Sequence, residues 1–134
     1  MGAWGVGNFD NDDAADWVYE LEESNDTSVL VATLGEATEG GYLESPVGCE
    51  ALAAAEVVAA LLGNAGKALP DGVRKWVAVN DVEVGHDLLA LARAAVARVV
   101  KAEDSELREL WQETDDHEQW VALQEDLLKR LGAG

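Results

Sequence analysis

The segment from Ala51 to Leu62 constrains the fold of this chain more than any other part of it. Its twelve residues contain one polar side chain, Glu56, and neither glycine nor proline. As a helix the segment would extend about 18 Å and be apolar on every face, which is typical of a helix buried on all sides. It is shorter than the ~20 apolar residues of a membrane span and contains a carboxylate. We therefore predict a central buried helix at about residues 46–63.

Amphipathic segments on both sides of this helix predict the elements that pack around it. Ser45 is the expected N-cap of the central helix, with Pro46 at its first position. Asn11 or Asp12 is expected to cap the first helix, and Asn80 with Glu83 resembles a capping box for the fifth. No segment alternates with a period of two, so we predict one all-α domain over residues 1–134, with about six or seven helices. The other helices are expected at about 12–23, 27–37, from 71, at 84–101, and after Ser105 and Asp116.

Negative charge is unevenly distributed along the chain. Residues 1–66 contain thirteen Asp or Glu and no Lys or Arg, whereas the remainder contains fourteen acids and nine bases, for a net charge of −18. Nucleic acids and anionic membranes are poor partners for such a chain, because they are bound through clustered Lys and Arg. Basic proteins and cations remain possible partners. Solubility, or adaptation to a salty cytoplasm, is the alternative interpretation.

The glycine-rich segment GAWGVGNFDND at residues 2–12 predicts an ordered arm whose aromatic side chains, Trp4 and Phe9, pack onto the core. Closely spaced Asp and Asn side chains can also supply oxygen ligands to a hard cation. An EF-hand does not fit, since the sixth position from Asn8 is not glycine and the twelfth is not glutamate. The alternative is that these acids stabilise the start of the first helix. The candidate metal ligands are Asn8, Asp10, Asp12 and Asp13.

Glu56 is the second candidate for a site, because its position on the most apolar helix predicts a buried carboxylate. Buried carboxylates act as general acids or bases in some proteins and form structural ion pairs in others. If the role is structural, we expect an ion pair, with Arg74 or Arg93 as the partner, or a hydrogen bond to a Trp, Tyr or backbone group. Small side chains on the same helical face would let another element approach closely. A ligand site where the arm meets this helix would consist of Trp4, Phe9, Trp17 and Glu56.

No motif in the sequence requires an enzyme. The two histidines, His86 and His117, belong to no metal-binding pair, and Cys49 lies on the apolar helix without an activating motif. The N-terminal glycines match neither a phosphate-binding loop nor a dinucleotide fingerprint. We find no nucleophile–base constellation and predict no cofactor. The first residues lack the basic and apolar regions of a secretory signal, so a cytoplasmic location is expected.

Four stretches together resemble a known family. They are the opening GAWGVGNFDNDDAADW, the central EALAAAEVVAAL, the Leu-Pro pair before a helix that contains Trp76, and SELRELW near the end. The chain resembles the bacterial domain of unknown function 4259 family over its full length, most specifically in its Trp-Gly-x-Gly-x-Phe opening. The resemblance implies a small, mainly helical bacterial protein with no established activity, cofactor or catalytic residue.

Three hypotheses about function follow from these patterns. The preferred one is a non-enzymatic interaction module, immunity-like in character, whose acidic first half engages a basic protein. The alternative is a site for a divalent cation or a small cationic ligand, formed by the acidic arm and Glu56. The third is that the arm has only a structural role, in which case Trp17 is a core residue and Asp10 is dispensable for stability.

Overall fold

The computed structural model of the protein describes residues 6–67, 69–80 and 82–132, and these residues form seven α-helices. Over the same residues no strand is present, and the only pairing of extended segments is an isolated bridge between Leu43 and Ser105. The all-α prediction is therefore confirmed. The helices are α1 (Asp12–Glu22), α2 (Ser28–Thr38), α3 (Ser45–Leu61), α4 (Asp71–Asn80), α5 (His86–Lys101), α6 (Glu106–Gln112) and α7 (His117–Arg130).

Helix α3 lies at the centre of the molecule, as predicted. Every residue from Ala51 to Ala60 is buried, and α3 contacts each of the other six helices. Small side chains allow this close packing: a Cβ on Gly48 would lie 3.4 Å from the Cβ of Leu107 on α6. No helix in the described part of the chain is both long and apolar enough to cross a membrane. The apolar composition of α3 is thus explained by contact with neighbours on all sides.

The end of α3 places the following loop against α7. Gly63 has a φ of 87°, and the backbone N–H groups of Gly63 and Asn64 donate to the carbonyls of Ala60 and Ala59 at 3.0 and 2.9 Å. This is a Schellman motif, which favours glycine at the left-handed position. The Asn64 side chain then donates to the carbonyl of Arg130, the last residue of α7, at 3.0 Å.

The helix boundaries differ from prediction at two caps. Glu44, and not Ser45, is the N-cap of α3, although proline occupies the first turn as predicted. The predicted capping box at Asn80 is wrong, because the Asn80 side chain donates back to the Trp76 carbonyl at 2.9 Å and so ends α4. Helix α5 begins later, with Gly85 as its N-cap. Asn11 does cap α1, accepting from the Ala14 N–H at 2.8 Å.

Candidate functional site

Glu56 forms a two-pronged ion pair with Arg130. The Glu56 Oε1 and Oε2 atoms accept from Arg130 Nη1 and Nη2 at 2.8 and 3.1 Å, and Glu56 is 6% exposed. The prediction of a buried Glu56 is confirmed, but its expected partner is wrong. Arg74 instead donates from Nε to the Leu69 carbonyl at 3.1 Å. Arg130 reaches Glu56 because the Asn64 contact places the end of α7 beside α3.

Two buried amides extend this ion pair into a polar network. Asn8 Nδ2 donates to Gln124 Oε1 at 3.0 Å and to Glu56 Oε2 at 2.9 Å, and Gln124 Nε2 donates to Asn8 Oδ1 at 2.7 Å. The network fixes residues 6–11, which we call the N-terminal segment, to both α3 and α7. Sequence reasoning missed Gln124, although a signal existed: it is a polar residue within the apolar stripe that contains Trp120 and Leu127.

Arg130 is held between two carboxylates of different exposure. Its Nε donates to Asp126 Oδ2 at 2.8 Å, and the Asp126 side chain is 64% exposed, whereas Glu56 is buried. Nη1 also approaches the Asn64 carbonyl at 3.4 Å. The hydrogen bond to Glu56 raises the pKa of Arg130, against the lowering effect of burial. The guanidinium therefore stays charged, with donors on all three of its nitrogens in use.

A cleft of about 600 Å³ opens beside this network. Both its volume and its combination of apolar walls with a few polar groups are typical of sites for small molecules. Gly66 allows the α3–α4 loop to approach the ion pair, since a Cβ there would lie 3.1 Å from Glu56 Oε1 and 3.2 Å from Arg130 Nη1. The lining residues are Gly7, Asn8, Phe9 and Asp10 of the N-terminal segment, Glu56 of α3, Ala65, Gly66, Lys67 and Leu69 of the loop, and Gln119, Ala122, Leu123, Asp126 and Arg130 of α7.

The structure brings some of the predicted ligand-binding residues together and separates others. Phe9 and Glu56 line the cleft, and so do Asn8 and Asp10, two of the predicted metal ligands. Trp17 does not, because it is buried in the core, and its indole Nε1 donates to Thr33 Oγ1 of α2 at 2.8 Å. Trp4 lies outside the described residues. Ligand binding at these positions stays a prediction.

The proposed metal ligands have other roles in the structure. Both polar atoms of the Asn8 side chain are used within the buried network, and Asp10 Oδ2 accepts from the Gly7 N–H at 3.1 Å. Asp12 and Asp13 lie in the first turn of α1, where acids are favourable. Across residues 6–67, 69–80 and 82–132, no group of three or more His, Cys, Asp or Glu side chains is arranged to hold a metal ion. Metal binding stays a prediction, and the placement of these side chains does not favour it.

Replacing Asp10 with asparagine is expected to change the free energy of unfolding by less than about 0.5 kcal/mol. The reason is that an asparagine Oδ1 can accept from the Gly7 N–H as the carboxylate does. Urea unfolding of the two proteins measures the difference. A loss well above this value would show that the charge of Asp10 itself stabilises the fold.

Four carboxylates of α1, α2 and α3 lie close enough to influence one another. Burial raises the pKa of Glu50, and repulsion from Glu36, Asp13 and Glu20 raises it further. Within the described residues none of these four carboxylates forms an ion pair. We call Asp13, Glu20, Glu36 and Glu50 the acidic face. Burial also raises the pKa of the neighbouring Cys49 thiol to about 12, which leaves it protonated and unreactive.

Comparison with known proteins gives the family of the chain. The family model described as Domain of unknown function (DUF4259) matches residues 2–122 of the 134, in agreement with the resemblance noted from the sequence motifs. No curated protein and no solved structure gives a significant match. The matched region includes the N-terminal segment, all of α3 and the cleft residues of α7 up to Ala122. The chain belongs to the DUF4259 family.

Proposed function

We propose that the protein is a non-enzymatic binding protein that takes a small organic ligand into the cleft between the N-terminal segment, the α3–α4 loop and α7. The observation that carries this proposal is a cleft of about 600 Å³ beside a fully hydrogen-bonded ion pair. Phe9, Leu69 and Leu123 supply apolar surface for a ligand to bury.

Glu56, the buried carboxylate of the cleft, is better suited to holding the shape of a binding site than to catalysis. A general base must have a free lone pair within hydrogen-bond reach of the substrate. The Glu56 carboxylate instead accepts from Arg130 and Asn8, and the Asn8 amide is paired with Gln124. A network of this kind gives the cleft a fixed shape at one end. Pre-organised shape lowers the cost of binding, because little side-chain freedom is lost when the ligand enters.

Filling the cleft with a large side chain tests this proposal. Ala122 is an exposed residue of α7 that lines the cleft, so Ala122→Trp should block it without disturbing the core. Ala32→Trp, on the exposed face of α2, is the matched control. We expect the neutral dye Nile red to bind the natural protein and the control in a saturable manner, and to lose this binding in Ala122→Trp. Equal binding by all three proteins would contradict the proposal.

A second proposed function, recognition of a basic protein, rests on the acidic face. These four carboxylates form no ion pair with any residue that the structure describes, and the segment of 66 residues that contains them has no Lys or Arg. They would attract a positively charged surface and steer its approach. An immunity-like role against a basic effector is one form of this proposal. We also propose that the protein acts in the bacterial cytoplasm, on neither nucleic acid nor membrane.

Salt dependence separates the second proposal from the first. An oligolysine peptide should bind with an affinity that falls steeply as NaCl is added, because interactions between exposed charges are screened. Replacing Glu20 and Glu36 with glutamine should weaken this binding, whereas Ala122→Trp should leave it unchanged. Peptide binding that is independent of salt, or insensitive to the two replacements, would count against the acidic face as an interaction surface.

Glu50→Gln is expected to stabilise the protein at neutral pH by roughly 0.5 kcal/mol after allowance for solvent screening. The pKa of Glu50 is raised in the folded state, so its ionisation favours unfolding. Its stabilising protonated form is fully present below the unfolded-state pKa and is lost as the pH rises through the folded-state value. The advantage of the variant should therefore shrink as the pH falls through that raised pKa. Thermal unfolding over a pH series measures the effect, and an advantage that persists in acid would refute this explanation.

A further inference from the structure

We propose that the ligand of the cleft is an amphipathic organic cation, that is, an amine attached to an apolar body of about two aromatic rings. This inference rests on the proposed binding function and adds the chemical class of the ligand.

The strongest donor of the cleft is already committed. Arg130 donates to Glu56 from two nitrogens at 2.8 and 3.1 Å and to Asp126 from the third at 2.8 Å. A carboxylate or phosphate ligand would have to displace a carboxylate that belongs to the protein. Displacing Glu56 would leave a buried charge without its partner, which is strongly unfavourable. Arg130 is therefore not available as an anchor for an anionic ligand.

The acceptors of the cleft, in contrast, are open. Asp126 uses Oδ2 to bind Arg130, and Asp10 uses Oδ2 to accept from the Gly7 N–H. Among the described residues, the Oδ1 atom of each carboxylate has no hydrogen-bond donor. Both residues line the cleft. Both are exposed, so a ligand in the cleft can donate to these carboxylates in place of water, and an ammonium group supplies up to three donors.

Charge favours the same class of ligand. The lining contains three acids and two bases, so one negative charge is in excess, and the whole chain has a net charge of −18. Lys67 is the lining cation that remains outside the ion-pair network, and it is exposed, so its field is weakened by solvent. The potential at the cleft thus attracts cations and repels anions.

The walls define the other half of the ligand. Phe9 packs partly buried against the core, and Leu69 and Leu123 lie on the loop and helix that border the same space. Burial of an apolar group against these side chains contributes roughly 25 cal/mol per Å² removed from water. A simple metal ion or a small polar amine would gain nothing from these walls. An apolar body carrying one amine uses both the walls and the open carboxylates.

Three probes with the same indole body test the inference by calorimetric titration. Tryptamine carries an amine, tryptophol a hydroxyl and indole-3-propionate a carboxylate at the end of a short chain. We expect tryptamine to bind the natural protein and tryptophol to bind it at least about fivefold more weakly than tryptamine does. Indole-3-propionate should bind most weakly of the three. Added salt should weaken the binding of tryptamine and leave that of tryptophol nearly unchanged.

Variants locate the interaction. Asp126→Asn and Asp10→Asn should each weaken tryptamine binding about fivefold, because each removes a carboxylate from the cleft. Asp16→Asn removes the same charge from an exposed position on α1 outside the cleft and should have little effect. Equal loss in all three variants would mean that only the overall charge matters, and would overturn the assignment of these two carboxylates.

The outcomes separate this inference from the function on which it rests. If the three probes bind equally well and Ala122→Trp abolishes their binding, the cleft is a ligand site but the cationic class is wrong. If tryptophol or indole-3-propionate binds more tightly than tryptamine, the class is likewise wrong. If no probe binds, or if binding persists in Ala122→Trp, both the inference and the proposed ligand function are contradicted.

Discussion

Replacing Trp17 with alanine is expected to lower the free energy of unfolding by about 3–5 kcal/mol. The side chain is 2% exposed and belongs to the core around α3, so its removal leaves a large cavity among side chains that cannot fully close it. The replacement also removes the donor to Thr33 Oγ1 at 2.8 Å and leaves that hydroxyl buried. Chemical unfolding in urea, followed by far-ultraviolet circular dichroism, measures the loss.

Two further variants divide this loss into its parts. Trp17→Phe keeps most of the apolar volume and removes the hydrogen bond, so it should cost clearly less than the alanine replacement. Tyr19→Ala removes an aromatic side chain two residues away that is 68% exposed, and it should change stability by less than about 0.5 kcal/mol. If Trp17→Ala cost no more than Tyr19→Ala, Trp17 would not be the core residue that the packing of α1 against α2 and α3 indicates.

Much of this fold could be predicted because burial leaves a direct pattern in the sequence. The run from Ala51 to Leu62, apolar except for Glu56, indicated α3, and spacings of three and four residues indicated the helices around it. Helix ends were less predictable, because a capping residue can serve either of two neighbouring helices. Asn80 had the right spacing to begin α5, but its side chain satisfies a carbonyl of α4.

The candidate site was predicted only in part, for a physical reason. A carboxylate on an otherwise apolar helix is easily recognised in the sequence, so Glu56 was identified as a candidate site residue. Phe9 and Asp10, which also line the cleft, were identified too. Its partner was not, since the choice among nine cations depends on how α7 packs, and sequence spacing contains no information about a contact between residues 74 positions apart. Gln124 could have been noticed, because a polar residue on a buried helical face needs a partner.

The Arg130→Met variant is expected to lose about 2–4 kcal/mol of stability. Methionine retains much of the length of the arginine side chain but leaves the Glu56 carboxylate with Asn8 as its one remaining side-chain donor. Breaking a fully buried ion pair costs more than this. The range is reduced here because the Arg130 side chain is 17% exposed, so water can partly solvate the carboxylate after the replacement. Urea unfolding at neutral pH measures the loss.

The decisive comparison uses the two carboxylates that share this arginine. Asp126→Asn removes the exposed partner and should cost less than about 1 kcal/mol, since exposed ion pairs contribute little. Adding Glu56→Gln to Arg130→Met removes the unpaired charge while keeping an acceptor for Asn8, so the double variant should be more stable than Arg130→Met alone. If Arg130→Met cost no more than Asp126→Asn, the ion pair would contribute little to stability. In that case Glu56 would be held in place mainly by Asn8, and the fixed end of the cleft would depend on the Asn8–Gln124 amide pair.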